Sequence, residues 1–278
     1  MRIQEHAILL AALAAPTVAF AGDLPGSKAR QTQPPVEASR SPWSAMIALG
    51  GGMMPEFPGS KHYKAMPFGM GRLAYRDYYI EVLGPRAKIN LIPGGMIEAG
   101  ALVGYDSGRD NSVKSRRLKL LPEVESSVEF GGFAKLNLER LLLQNDKLSF
   151  GVEFAKASEG HEGYTVNLQT SYGIQFSRSF FMSLDAEVQF ADKKYSNAYF
   201  GVNAVGAAAT GLPTYTASAG VTSAELGLTA RYLFSPNWGL TGRVAYGRML
   251  GDAAKSPIVK TEGDVNQFSG GLSVLYRF

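Results

Sequence analysis

A chain of 278 residues without cysteine holds no disulfide framework, no thiolate metal site and no lipid-modified amino-terminal cysteine. The net charge of +4 is modest and makes no case for nucleic acid. Charged residues at 19%, aromatics at 11% and 32 glycines fit many short strands better than helices, which leaves a secreted β-sandwich or a membrane β-barrel.

The chain opens with Arg2, an apolar run from Ala7 to Ala15 and the small-x-small triplet Ala19-Phe20-Ala21. This pattern predicts a secretory signal peptide over 1–21. It is too short for a permanent membrane helix, which needs about 20 apolar residues. Residues 22–41 lack hydrophobic periodicity and are rich in Pro, Ser, Gln and charge, so a disordered periplasmic leader is expected there.

From residue 42 onward, strand patterns follow one another with turn signals between them. Segments 43–53, 65–76 and 96–106 are expected strands, the first two rich in Gly and Met. In 78–92 the apolar parity is even at Tyr78, Ile80 and Val82 but odd at Ala87, Ile89 and Leu91, switching at Gly84-Pro85. One bulged strand or a short hairpin would both produce that switch. Segments 124–138, 147–156, 164–177, 180–192, 221–234 and 237–250 alternate apolar with polar residues throughout. The last stretch places Phe268, Gly270, Leu272, Val274, Tyr276 and Phe278 on one face, with Gln267, Ser269, Gly271, Ser273 and Arg277 on the other.

Strands of about 10–15 residues suit a tilted membrane crossing, whereas soluble strands average about 5–6. Very short turns at Arg76-Asp77, Gln144-Asn145-Asp146, Arg178-Ser179 and Ser235-Pro236 alternate with long connections at 107–122, 193–220 and 251–264. Aromatics gather beside the short turns: Tyr75, Tyr78 and Tyr79; Phe176, Phe180 and Phe181; Tyr232, Phe234 and Trp238; Tyr276 and Phe278. A second group comprises Tyr105, Phe154, Tyr164, Phe190 and Tyr246. Two such belts mark the faces of a membrane. The expectation is an all-β, transmembrane, antiparallel up-and-down β-barrel over 42–278. It has about 12 strands if 78–92 is a hairpin, with 10 as the alternative. Tyr276 and Phe278, ending a terminal amphipathic strand, read as the signal handed to the barrel-assembly machinery.

The polar face carries Glu81, Arg86, Lys88, Glu98, Glu125, Glu129, Lys135, Glu153, Asp185, Glu187, Glu225, Arg231, Arg243 and Arg277. Both signs are present, so such groups could pair into a network that fills the lumen or line a narrow wet path; a solvated polar interior with structural ion pairs is favoured over a selective pore, which one dominant sign would support better. The loop 107–121 holds Arg109, Lys114, Arg116, Arg117 and Lys119 against Asp110. On an outer face these cations could hold lipopolysaccharide phosphates; a solvated charge run is the plain alternative. Segment 193–220 is too apolar for a solvated loop and is expected to pack, with the barrel mouth as the candidate place. His62 and His161 fall in expected outer loops. Ser158, Glu159, His161 and Glu162 lie too close along one loop to form a triad, and neither histidine has a spaced second histidine for a metal.

Several stretches resemble one family. Tyr199-Phe200-Gly201-Val202, then Ala208 through Gly211-Leu212-Pro213 and Tyr215 to Ala219-Gly220, resembles the YFGV…SGLP-x-Y…AG stretch of the MipA/OmpV family. Pro58-Gly59-Ser60 with Tyr63 and Pro67 resembles its early GS-x-x-Y loop. Arg248 to Ala254, with Asp252, followed by Ser256-Pro257-Ile258-Val259, resembles its RLLGDAA-x-SP-[LI]-V segment, and Tyr276-Arg277-Phe278 its Y-x-F end. Phe57, Met249 and Lys255 depart from the usual Tyr, Leu and acidic residue. The resemblance implies an outer-membrane barrel, without catalysis or cofactor, that scaffolds peptidoglycan machinery: a lytic transglycosylase and a penicillin-binding protein. A passive small-solute porin and a surface adhesin are the alternatives.

Overall fold

The computed structural model describes residues 41–278; the expected signal peptide, and the leader up to residue 40, lie outside them. Twelve antiparallel strands form one closed sheet in sequential order, with β1 paired to β12. They are β1 Trp43–Pro55, β2 Tyr63–Tyr75, β3 Tyr78–Leu83, β4 Arg86–Asn90, β5 Ile97–Asp106, β6 Ser127–Glu139, β7 Asp146–Ala157, β8 Tyr164–Gln175, β9 Phe180–Ala191, β10 Gly220–Leu233, β11 Trp238–Met249 and β12 Asn266–Arg277. Segment 78–92 is thus a hairpin, turning at the residues where the apolar parity switches. Closure removes the edges that an open sheet of such strands would leave unpaired.

Alternation sorts the side chains across the wall. In β12, Phe268, Leu272 and Val274 are exposed on the outside, as is Phe278 just after it, while Ser273 and Leu275 are buried within. Leu226 and Leu228 of β10, Phe150 and Val152 of β7, and Ile80 and Val82 of β3 are likewise exposed. An apolar exterior around a polar interior inverts the pattern of a soluble barrel and calls for hydrocarbon outside. No helix among the described residues is long and apolar enough to cross a membrane, so the strands make the crossing.

Ring contacts bind the belt at the short turns. Trp43 stacks on Tyr75 at 4.8 Å, and Trp238 and Phe278 each lie 4.7 Å from Tyr276. At the opposite end Phe154 meets Tyr164 at 5.7 Å and Tyr246 meets Phe268 at 5.1 Å. Tyr79 and Phe181 do not belong to the belt. They sit on the inward parity and are buried. There the Tyr79 hydroxyl donates to Glu98 at 2.6 Å, and Phe181 lies under the Arg231 guanidinium at 4.9 Å.

The long connections build a cap over one end. It contains α1 Lys193–Phe200, α2 Ala204–Thr210, α3 Gly251–Lys255, a 3-10 turn Leu118–Leu120 and a π turn Ile258–Glu262. Asp192 caps α1 by accepting from the Tyr195 N–H, and Asn203 caps α2 by accepting from the Gly206 N–H. Two apolar clusters hold the cap. One joins Tyr195, Tyr199 and Phe200 to Val124, Ala217, Met249, Ala253 and Val259. The other joins Phe57, Val113, Leu118, Leu121, Val202, Leu212 and Ile258, drawing on all four of the longer outer segments that these residues represent.

Candidate functional site: the lumen and its cap

Inward-facing charges meet across the lumen. Arg86 of β4 donates to Glu153 of β7 at 3.1 Å and lies 3.7 Å from Glu129 of β6. Lys88 also pairs with Glu153. Arg243 of β11 reaches past β10 to Asp185 of β9 at 2.6 Å and holds Glu225 of β10 at 2.8 Å. That reach depends on Gly227, where an added Cβ would stand 2.3 Å from the Arg243 Nη2. Nearer the short turns, Lys135 pairs with Glu98 at 2.7 Å and Arg72 with Glu81 at 3.2 Å. The Gln169 amide donates to Glu187 at 2.9 Å. Each of these five cations thus faces at least one carboxylate, the arrangement that makes buried charge tolerable.

Of the residues expected on the polar face, Glu129, Lys135, Glu153, Asp185, Glu187, Glu225, Arg231 and Arg243 lie at inward positions of their strands, and two do not. Glu125 precedes β6 and is exposed in the outer loop, because β6 begins only at Ser127. Arg277 sits at the rim of the short-turn end, where it donates to the Pro236 carbonyl at 3.0 Å.

The expected cationic loop is mostly engaged within the cap. Arg109 is buried, donating to the Tyr199 carbonyl at 3.0 Å and the Pro122 carbonyl at 3.3 Å, with Phe57 beneath it. Burial pulls the pKa of its guanidinium below the usual value. It is therefore a strut and not an outward phosphate ligand. Lys114 bonds the Tyr63 carbonyl at 2.7 Å, and Arg117 pairs with Glu262 at 3.1 Å. Arg116 and Lys119 remain exposed, with no bonded partner among the described residues.

The family-motif residues converge on the same cap. Gly59 takes φ 90°, and an added Cβ there would lie 2.7 Å from Val259. Its N–H donates to Gln267, while the Ser60 hydroxyl donates to the His62 carbonyl. The Ser256 hydroxyl donates to the Phe200 carbonyl at 2.7 Å, leading into Pro257 and the π turn. Gly201 ends α1, and Gly211 ends α2 at φ 69°, leading into Pro213. Asp252 accepts from the Ser218 N–H at 3.0 Å, and the Tyr63 hydroxyl accepts from the Phe268 N–H at 3.1 Å.

His161 is buried, not displayed on a loop. Its Nε2 lies 3.5 Å from Asp106 and 3.7 Å from Glu129, a trio with the composition of a metal site. Its Nδ1, however, accepts from the Gly163 N–H at 3.0 Å. A neutral imidazole with an accepting Nδ1 carries its proton on Nε2 and offers no lone pair there to a cation. The Ser158 hydroxyl donates to the Val128 carbonyl at 3.0 Å, so it faces away from a nucleophile's role. Asp106 in addition accepts from the Tyr199 hydroxyl at 2.7 Å; burial, and after it the nearby Asp106 carboxylate, pushes the Tyr199 phenol up beyond its usual range.

Sequence reasoning placed the turn between β6 and β7 at Gln144-Asn145-Asp146 and missed its extent and the role of Asp146. The turn covers 140–145, and Asp146 already opens β7. The Asp146 carboxylate accepts from the N–H groups of Leu141, Leu142 and Leu143 at 2.8, 2.9 and 2.8 Å. All three leucines are exposed, Leu142 by 75%. Three consecutive leucines that break the alternation were the available signal. Asn137 links this turn to the neighbouring one through the Gly95 and Met96 carbonyls, beside exposed Leu91, Ile92 and Met96.

Among solved structures, the chain is similar to the NanC porin at 8% identity and TM-score 0.44, covering 84% of this chain and 100% of that one. It is similar to an outer membrane channel from Pseudomonas putida F1 at 13% identity and TM-score 0.46, covering 89% and 100%. An anion-selective porin from Comamonas acidovorans stands at 7% and TM-score 0.39, covering 85% and 98%. No curated protein matches by sequence. The description MltA-interacting protein MipA matches residues 47–278, which take in the barrel from within β1 to its last residue and the whole cap. The chain belongs to the MltA-interacting protein MipA family of outer-membrane β-barrels.

Proposed function

We propose that this barrel is a non-enzymatic scaffold that holds a peptidoglycan-remodelling enzyme at the outer membrane. The observation that carries the reading is the filled interior. Paired side chains occupy the lumen and a packed cap covers its mouth, so the fold offers surfaces in place of a passage. The family's name supplies the class of partner. The contact surface is the rim of the short-turn end, where Leu91, Ile92 and Met96 stand beside Leu141, Leu142 and Leu143. An exposed apolar patch of this kind is what a protein partner buries. The expected leader over 22–41 is the other candidate contact.

The test is recovery of murein enzymes from cross-linked envelopes. The full chain should recover a murein hydrolase or synthase, and Leu142→Asp should lower recovery at least tenfold. Removing residues 22–41 and repeating the recovery shows whether the leader shares the contact. Recovery equal to that of an unrelated barrel would reject the scaffold. On the outer face, exposed Arg116 and Lys119 support a secondary reading as a lipopolysaccharide contact. Reversing both charges should weaken lipopolysaccharide binding; unchanged binding would dismiss it. Tyr276 and Phe278, stacked at the end of β12, are the residues we assign to recognition by the assembly machinery.

A further inference from the structure

The barrel wall is incomplete in its cap-side half. β3 and β4 are only 6 and 5 residues long, against 13 for β2 and 10 for β5. β3 pairs with β2 from Met70 to Tyr75 and stops, so no strand pairs with Tyr63–Gly69 on that side. Those seven positions, at about 3.4 Å each, span roughly 24 Å along the strand. At the usual tilt of roughly 40° this is a large part of an apolar band about 25 Å tall. The notch is framed below by Gly84-Pro85, and the Tyr105 N–H donates to the Pro85 carbonyl. It is framed above by Lys114, whose ammonium bonds the Tyr63 carbonyl at 2.7 Å.

The free edge is built to stay free. The Gly69 carbonyl accepts from the Gly84 N–H, so odd positions of β2 turn their backbone groups toward the notch. Pro67 is such a position and has no N–H to leave unpaired. Both Ala65 and Pro67 are exposed. Behind the edge, the inward residues of β2 between Lys64 and Arg72 are apolar, namely Met66, Phe68 and Met70, beside Met54 and Ala48 of β1. A cavity of about 290 Å³ under the cap is lined by Lys64, Pro85 and Tyr105 at the frame and by Met54, Phe57 and Met249 inside, together with the charged Asp106, Glu225 and Arg248. Arg86 and its partners Glu129 and Glu153 lie at and below the floor of that cavity.

We propose that the notch is a lateral portal through which an acyl chain of a lipid in the surrounding leaflet enters the cavity beneath the cap. An unpaired strand edge is not tolerated against hydrocarbon alone, so the edge nearest the rim, at Ala65 and Pro67, needs a polar group beside it. There the polar part of the lipid meets the open edge at Ala65 and Pro67 while its chain lies along the Met66 and Phe68 wall. The apolar exterior supplies the lipid, and the ion pairs below stop the chain from passing further.

Brominated lipid tests this directly. Trp43 and Trp238 are replaced by Phe, and Phe68→Trp places a single indole on the inner wall behind the notch. The protein is reconstituted in dioleoylphosphatidylcholine vesicles with or without vicinal bromines on the chains. Emission should fall at least twofold with bromine, as for the lipid-facing control Leu73→Trp. The inward control Thr241→Trp, behind an intact wall, should lose less than a tenth. Phe68→Trp quenched no more than Thr241→Trp, with Leu73→Trp quenched, overturns the portal. If Phe68→Trp fails to fold, Met66→Trp reports from the same wall with the same two outcomes.

Discussion

Replacing Arg243 by Met tests whether the lumen is held by its ion pairs. The guanidinium lies 2.6 Å from Asp185 and 2.8 Å from Glu225, whose side chains are 2% and 31% exposed. Loss of the cation leaves the Asp185 carboxylate buried without a cation partner. Removing one member of a buried pair costs about 3–5 kcal/mol. The Glu225 pair is a third open to solvent and adds at most about 1 kcal/mol. The expected loss is therefore about 3–5 kcal/mol and is dominated by Asp185. Equilibrium unfolding by urea in phospholipid vesicles reads it through the tryptophan emission of Trp43 and Trp238, both in the short-turn belt. Adding Asp185→Asn to Arg243→Met removes the stranded charge and should restore most of the loss. A loss below about 1 kcal/mol, or no recovery in the double variant, would mean that water screens these charges and the lumen is open.

Further outcomes follow from the cap and the wall. Gly227→Leu should match Arg243→Met in stability loss, because a side chain at Gly227 blocks the guanidinium's path to Asp185; wild-type stability in the same urea assay would contradict this. Arg109→Ala leaves the Tyr199 and Pro122 carbonyls without their donor, so external protease should cut within 193–220 at least tenfold faster while the barrel stays resistant. Asp252 is held below the usual carboxylate range by the Ser218 N–H and by Lys255. A depressed carboxylate contributes stability above its unfolded pKa of about 3.9 and loses it as pH falls through the lower folded value. Near-ultraviolet dichroism of the cap should thus stay flat from pH 8 to 5 and decline below about pH 4, and Asp252→Asn should flatten the acid limb.

The barrel was readable because a period of two survives in nearly every strand, and because lipid outside and charge inside both act on single residues. The hairpin of β3 and β4 was half readable from the same rule: the parity switch at Gly84-Pro85 excludes one regular strand but leaves a bulged strand open beside the hairpin that forms. Errors arose where proximity along the chain was trusted over parity. Tyr79 and Phe181 follow belt aromatics in sequence, yet each is one position off the lipid face. The cap was less legible. Arg109 looked like part of an outer charge run, but its role is set by the Tyr199 carbonyl 90 residues away. His161 likewise lies against Asp106 and Glu129 from other segments, a neighbourhood that no local spacing encodes. The Asp146 turn needed only local sequence, and its three leucines carried the signal.

The central claim, a barrel sealed by its own side chains that offers surfaces to partners, meets its most direct test in single-channel recording. The described barrel in planar bilayers should show no stable conductance steps, and removing 193–220 should add none while the Arg86 and Arg243 ion pairs remain. Stable, reproducible steps from the intact protein would contradict the account and make it a channel.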